Sequence, residues 1–362
     1  MRRNYIDNIR IICILLLFPF HTCMIFNTFG EQFYVFSTPV KMYTRFIIAV
    51  YPWWMTLLFI IAGISSSYAL QRRSGKEYAK ERISKILIPL LFGIMIIIPM
   101  QSYTADVFHN GYAGGYFQHY AVFFTKFTDL SGYDGGFTPG HTWFMLYLFV
   151  VSMLALPIML WYRKKDIKID GNKISMPMLL PMFILILLMT PIIELGGKSV
   201  GESLACFLIG FFLLSLNEVQ DKLVKYRMPL AASWLVLMAL RILMYENNMG
   251  HGLVWDIEQR ILTWIGILSI LGLGKRYLDF NNKFTRYFSL ASFPLYFLHQ
   301  SVLVIVAFYV VNLTDIILLQ FISILILSFI ITLLCYEVFR RFTVTCFMFG
   351  IKNRSKIEKY IE

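Results

Sequence analysis

Arg10 and His21 stand eleven residues apart in the first apolar stretch, IRIICILLLFPFHTCMIF, and Asp7 lies one turn before the arginine. On a helix of ~3.6 residues per turn and ~1.5 Å rise, eleven residues close three turns to within about 20°. Both side chains therefore share one face, with His21 ~16 Å further along the axis. A bilayer's hydrocarbon core is ~30 Å thick, so a histidine that far from a boundary arginine lies near mid-membrane. An ionisable group there is costly and usually functional. Neutral imidazole accepts a proton near pH 7, which suits general-base work on a hydroxyl.

A second histidine supports this reading. His299, in SFPLYFLHQSV, lies about eleven residues into a late span entered from the same side, and so reaches a similar depth of ~16 Å. For either residue alone, a single interhelical hydrogen bond is an adequate explanation. Two at equal depth on separate helices point instead to a shared polar site. The other four, His109, His119, His141 and His251, fall in or beside loops on the opposite side.

The elements that position these residues are membrane helices. Of the 362 residues, 58% are hydrophobic, and mean hydropathy is +0.65. Runs such as FIIAVYPWWMTLLFIIAGI and ILIPLLFGIMIIIPM hold no charge and read as spans. Ten are expected near residues 10–28, 46–70, 86–102, 142–161, 177–195, 202–216, 229–244, 260–274, 288–311 and 314–336. Two of these are short, so eight or nine spans would also satisfy the pattern. The expectation is an all-α polytopic membrane helix bundle forming one domain over 1–362, its alternation too long for the short strands of a β-barrel.

Charge sets the orientation. With both termini cytoplasmic, 27 of the 33 Lys and Arg fall inside and 6 outside, alternating loop by loop. The net charge of +12 therefore marks topology, not a nucleic-acid partner. The basic start MRRNYIDNIR is followed by no small-residue cleavage site, so a retained first helix is expected. The five cysteines lie in or beside spans with no metal-ligand or disulfide spacing, and no bound cofactor or metal is expected.

No Asp or Glu falls in mid-span, and no matched halves are visible. Both weaken a transporter or flippase for a lipid-linked or small acidic solute, which stands as the alternative function. A non-catalytic scaffold would not need histidines in hydrocarbon. The loop between Gln101 and His141 is rich in Tyr and Phe. An interfacial aromatic belt explains it most simply. A sugar platform, with Asp106, Asp129 and Asp134 bonding hydroxyls, is the sharper option.

Four segments in order carry a family resemblance: YIDNIRIICILLLFPFHTCMIFN, PWWMTLLFIIAGISSSYAL with the following ERISKILIPLLFG, GHTWFMLYLFVVSMLALP, and SFPLYFLHQSVLV. Together they resemble the type-3 acyltransferase family of integral membrane proteins, and within it the glucan-biosynthesis branch. The first is the most specific, supplying Asp7, Arg10 and His21. Departures are Lys85 where a second arginine often follows Arg82, and Thr142 after His141. Residues 165–285 match no motif.

The resemblance implies a multi-pass enzyme of the cell (inner, cytoplasmic) membrane. It would transfer an acetyl- or succinyl-type group from a cytoplasmic acyl-CoA-type thioester to a hydroxyl of an extracytoplasmic carbohydrate. His21 is then the expected base, with Arg10 and Asp7 beside it in the catalytic set. Arg10, Arg72, Arg73, Arg82 and Lys85 are expected to hold the polyanionic donor. His299, Tyr296, His141 and Trp143 are expected to line the acceptor pocket.

Overall fold

A computed structural model describes residues 3–30, 33–195 and 197–351. The expected topology puts both chain ends in the cytoplasm, and those ends lie outside the described residues. The fold is an all-α polytopic bundle. Among the described residues, the β structure is one antiparallel pair, Glu194–Leu195 with Lys198–Ser199. Eight helices among the described residues are long and apolar enough to cross a membrane: Asn4–Met24, Lys41–Leu70, Gly75–Asn110, Gly140–Lys164, Arg227–Glu246, Leu253–Tyr277, Lys283–Leu313 and Ile317–Phe339. The two remaining apolar stretches take other forms. Met176–Met189 is a shorter helix, and Val200–Leu214 is followed by Asn217–Lys225 after a bend of 94°. The bend follows the change from apolar GFFLLSL to polar NEVQDKLVK, whose charges favour leaving the hydrocarbon.

The chain divides into two compact units. The first comprises Met1–Cys13, Ile48–Arg82 and Tyr147–Arg286. Its helices meet where side chains are smallest. A Cβ on Gly63 would stand 2.0 Å from the Phe207 carbonyl oxygen, and one on Gly210 would stand 2.3 Å from that of Ile60. This reciprocal glycine pair lets two helix backbones touch, as small residues do in membrane packing. Arg163 Nη1 donates to the carbonyls of Leu70 and Arg73, at 2.6 and 3.0 Å, closing the end of the Lys41–Leu70 helix.

Hydropathy alone places Glu258 in a loop, but it lies in the second turn of Leu253–Tyr277 and is buried. Arg241 explains this. Its Nη1 donates to Glu258 Oε2 at 2.7 Å, and its guanidinium lies 3.6 Å from the centre of the Trp255 ring. The paired charge lets the helix begin earlier than apolarity suggests. Glu202 is likewise paired with Arg260.

The second unit comprises Ile14–Ile47, Ile83–Leu146 and Tyr287–Glu362. Its aromatic segment is folded. The helix Tyr116–Thr125 buries His119 and Phe123, four residues apart, and exposes Phe117 and Phe124. His119 Nε2 lies 3.1 Å from Asp106 Oδ2, and the rings of Tyr103 and Tyr112 stand edge-on at 5.5 and 5.2 Å. Burial holds this imidazole below its ordinary pKa, with Asp106 pulling the other way. The three aspartates offered as sugar ligands bond within the segment. Asp106 also accepts from Asn110 (2.7 Å), Asp129 from Ser131 (2.7 Å), and Asp134 pairs with Lys126 at 3.3 Å. They shape its turns.

Candidate active site

Three histidines from three separate segments form a row within the second unit. His21, in the Leu17–Met24 helix of the first span, is partly exposed. It stacks on Phe33, with ring centres 5.9 Å apart and planes 16° from parallel. His299 lies 5.2 Å from His21, and His141 lies 5.0 Å from His299. His299 is fully buried and His141 nearly so. The edge of Phe18 closes the row beside His299 at 5.7 Å.

Backbone carbonyls fix two of the three tautomers, because a carbonyl only accepts. His299 Nδ1 lies 2.6 Å from the Tyr296 carbonyl oxygen, so Nδ1 carries the hydrogen and Nε2 the lone pair. Nε2 has no hydrogen-bond partner among the described residues. His141 is the opposite case. Its Nε2 donates to the Phe297 carbonyl at 2.9 Å, and its Nδ1 accepts from Gln101 Nε2 at 3.1 Å. With both nitrogens engaged, His141 is a poor base and a good strut.

Local backbone explains the strut. Gly140 adopts φ +49°, in the left-handed region, and the 3-10 turn Gly140–Thr142 follows. Thr138 Oγ1 accepts from the Gly140 N–H at 2.8 Å, and Thr142 Oγ1 donates to the Pro139 carbonyl at 2.6 Å. The turn tucks His141 inward, and the Tyr296 hydroxyl donates to its carbonyl. Gln101 extends the network, donating to Ser301 Oγ at 2.7 Å, and Ser301 donates to the Ile97 carbonyl at 2.9 Å. Trp143 begins the following helix, half-buried, its ring edge-on to Phe144 at 6.2 Å.

The structure thus brings His21, His299, His141 and Tyr296 together. It adds Gln101, Ser301 and Phe33, which sequence reasoning left without roles. The signal for two of them was present: His299-Gln300-Ser301 is a polar triplet within a long apolar helix, and Gln101-Ser102 closes the apolar run before the aromatic segment. Among the described residues, no three or more His, Cys, Asp or Glu side chains form a set able to hold a metal ion.

The expected donor residues, Lys85 apart, lie in the first unit. Arg10 Nη1 bonds Asp7 Oδ1 at 2.9 Å, and Nη2 donates to Ser65 Oγ at 3.3 Å. Arg82 Nη2 donates to the adjacent Ser66 Oγ at 3.0 Å, and its guanidinium lies over the Tyr78 ring at 4.7 Å. Ser66 donates to the Ala62 carbonyl at 2.7 Å, so it accepts from both Arg82 and Tyr78, whose hydroxyl is at 2.8 Å. Two guanidiniums therefore meet neighbouring serines of one helix. The Arg10 side chain is 36% exposed, so its ion pair contributes little to stability. Arg73 pairs with Glu81, and Arg72 is exposed. Lys85 is exposed and belongs to the second unit.

The second unit thus holds a row of imidazoles, and the first unit holds two arginines on neighbouring serines, in a multi-pass helical membrane protein. The chain belongs to the type-3 acyltransferase family: the family's model, described as an acyltransferase domain, matches residues 3–337. It is a membrane acyltransferase. Glucans biosynthesis protein C of Salmonella heidelberg (strain SL476) is 25% identical over 386 residues, covering 99% of this chain and 97% of that relative. The proteins of the same name from Salmonella agona (strain SL483) and Salmonella enteritidis PT4 (strain P125109) are similar to the same extent. No solved structure matches the chain.

Proposed function

We propose that this enzyme is an O-acyltransferase of the cytoplasmic membrane. It moves an acetyl- or succinyl-type group from a cytoplasmic acyl-coenzyme A or similar thioester to a hydroxyl of an extracytoplasmic glycan or glycolipid. The observation that carries this is the imidazole row. One partly exposed histidine, His21, lies beside a buried one with a bare lone pair, and an imidazole within reach of a hydroxyl can take its proton. The relatives' name, glucans biosynthesis protein C, favours a glucan as acceptor.

The chemistry is acyl transfer. The acceptor oxygen bonds to the thioester carbonyl carbon as the C–S bond breaks. His21 takes the hydroxyl proton and returns it to the leaving thiolate. Arg10 and Arg82, held by Ser65 and Ser66, present planar donors to the phosphates of a polyanionic donor. Arg72 and Lys85 add exposed positive charge, while Arg73 already shares its charge with Glu81. The test is a mass profile of envelope glycans from cells with and without the protein. Acyl esters present only with the protein support the reading, and identical profiles overturn it.

A further inference from the structure

His299 occupies an unusual position for a buried histidine. Its Nδ1–H is committed to the Tyr296 carbonyl at 2.6 Å, which fixes the tautomer. Its Nε2 lone pair is buried and unpartnered among the described residues, on a side chain with no exposure. A buried polar atom without a partner is costly, so each one in a native protein calls for a reason. His141 cannot supply one: its ring is adjacent, but both of its nitrogens are engaged. The other neighbouring imidazole is His21, with ring centres 5.2 Å apart and planes 37° from parallel. At that separation the two nitrogens reach hydrogen-bond length only when an N–H of His21 is turned head-on toward Nε2.

We infer that His299 is the positioning residue of the acyl-transfer centre, its Nε2 accepting an N–H from His21 while His21 takes the acceptor's proton. The inference rests on the reading of His21 as base. It deepens that reading by supplying the third group that orients a base in hydroxyl-activating sites. With one His21 nitrogen donating to His299, the other is left as the lone pair that meets the substrate. When the hydroxyl proton arrives there, the imidazolium is stabilised by the bond to Nε2. His299 itself neither gains nor loses a proton. Its tautomer is fixed from behind by Tyr296, a residue of its own helix.

The experiment compares purified wild type, His299→Leu and His299→Gln with acetyl- and succinyl-coenzyme A as donors, and with a glucan oligosaccharide or hydroxylamine as acceptor. Hydroxylamine attacks thioesters without a base. Leucine removes the acceptor at Nε2, whereas the glutamine amide oxygen restores one near the same place. His299→Leu is expected to lower kcat for the glucan by roughly 10²-fold, as loss of base function does, with KM for both substrates little changed. Transfer to hydroxylamine should fall far less, and His299→Gln should recover most of the glucan rate. In a His21→Ala background, His299→Leu should cost nothing further, because residues acting as a unit are not additive.

Equal loss with both acceptors, or full additivity with His21→Ala, would make His299 a packing residue and overturn the inference. So would glutamine failing where leucine fails, in protein that remains folded. Wild type that gives no rate above the enzyme-free reaction with either acceptor would instead overturn the proposed function. The wild-type lane therefore separates the two failures.

Discussion

His141 and His21 are the same residue type in one row, yet their substitution should fail in opposite ways. His141→Leu removes two hydrogen bonds, one to the Phe297 carbonyl at 2.9 Å and one from Gln101 at 3.1 Å. The carbonyl keeps its helix partner, so that loss is about 1 kcal/mol. The Gln101 amide keeps its bond to Ser301 but strands one buried N–H, at about 1–3 kcal/mol. Together these give a loss of roughly 2–4 kcal/mol in a site where leucine fills similar space. The assay is unfolding in mixed detergent micelles followed by tryptophan fluorescence, paired with turnover per folded molecule. Stability should fall by that amount, and turnover per folded molecule should drop less than about tenfold, against 10²–10⁴-fold for a lost general base. Adding Gln101→Leu removes the stranded donor, so the double variant should be more stable than His141→Leu alone. A His141→Leu protein of wild-type stability whose turnover collapses would refute the assignment of His141 as a strut.

Three further outcomes are expected. Arg10→Ala should weaken donor binding, measured as KM for the coenzyme A thioester, far more than it lowers stability, and Arg10→Lys should recover only part because a point charge lacks the planar fork; unchanged KM would leave Arg10 as an orientation signal. In a cysteine-free background, a membrane-impermeant thiol reagent applied to intact cells should label Ser131→Cys and spare Ser74→Cys; the reverse pattern would invert the topology. His119 is held below its ordinary value of 6.5 by burial, so the unfolded chain binds the extra proton and stability should fall as pH drops below about 6.5; His119→Gln should flatten that dependence in thermal unfolding scans, and an unchanged slope would show that His119 does not drive it.

Much of the fold follows from apolar runs and charge alternation, since hydrocarbon admits few arrangements of backbone. His21 and His299 were legible as a pair because depth along a helix is simple arithmetic. The partners around them were not. Gln101 reaches His141 across 40 residues and Ser301 across 200, and no periodicity encodes such contacts. His141 reads as a loop-edge residue until the left-handed Gly140 turns it inward. The wide π-helical turns at Ile83–Leu87 and Gly93–Ile97 shift which face of that helix points inward, so a steady 3.6-residue pattern misassigns it. The carboxylates of the aromatic segment look like sugar ligands in sequence, but folding directs them to their own turns and to His119.

The central claim is that His21 does the chemistry, and His21→Gln tests it most directly. Glutamine keeps a hydrogen-bonding group in a similar volume but cannot take up a proton near pH 7. Removing the imidazole should cost about 1 kcal/mol of packing and bonding, so expression and insertion should stay near wild type. With coenzyme A thioester and glucan at saturation, the account predicts a rate reduced roughly 10²–10⁴-fold. A His21→Gln enzyme that acylates its acceptor at nearly the wild-type rate would contradict it.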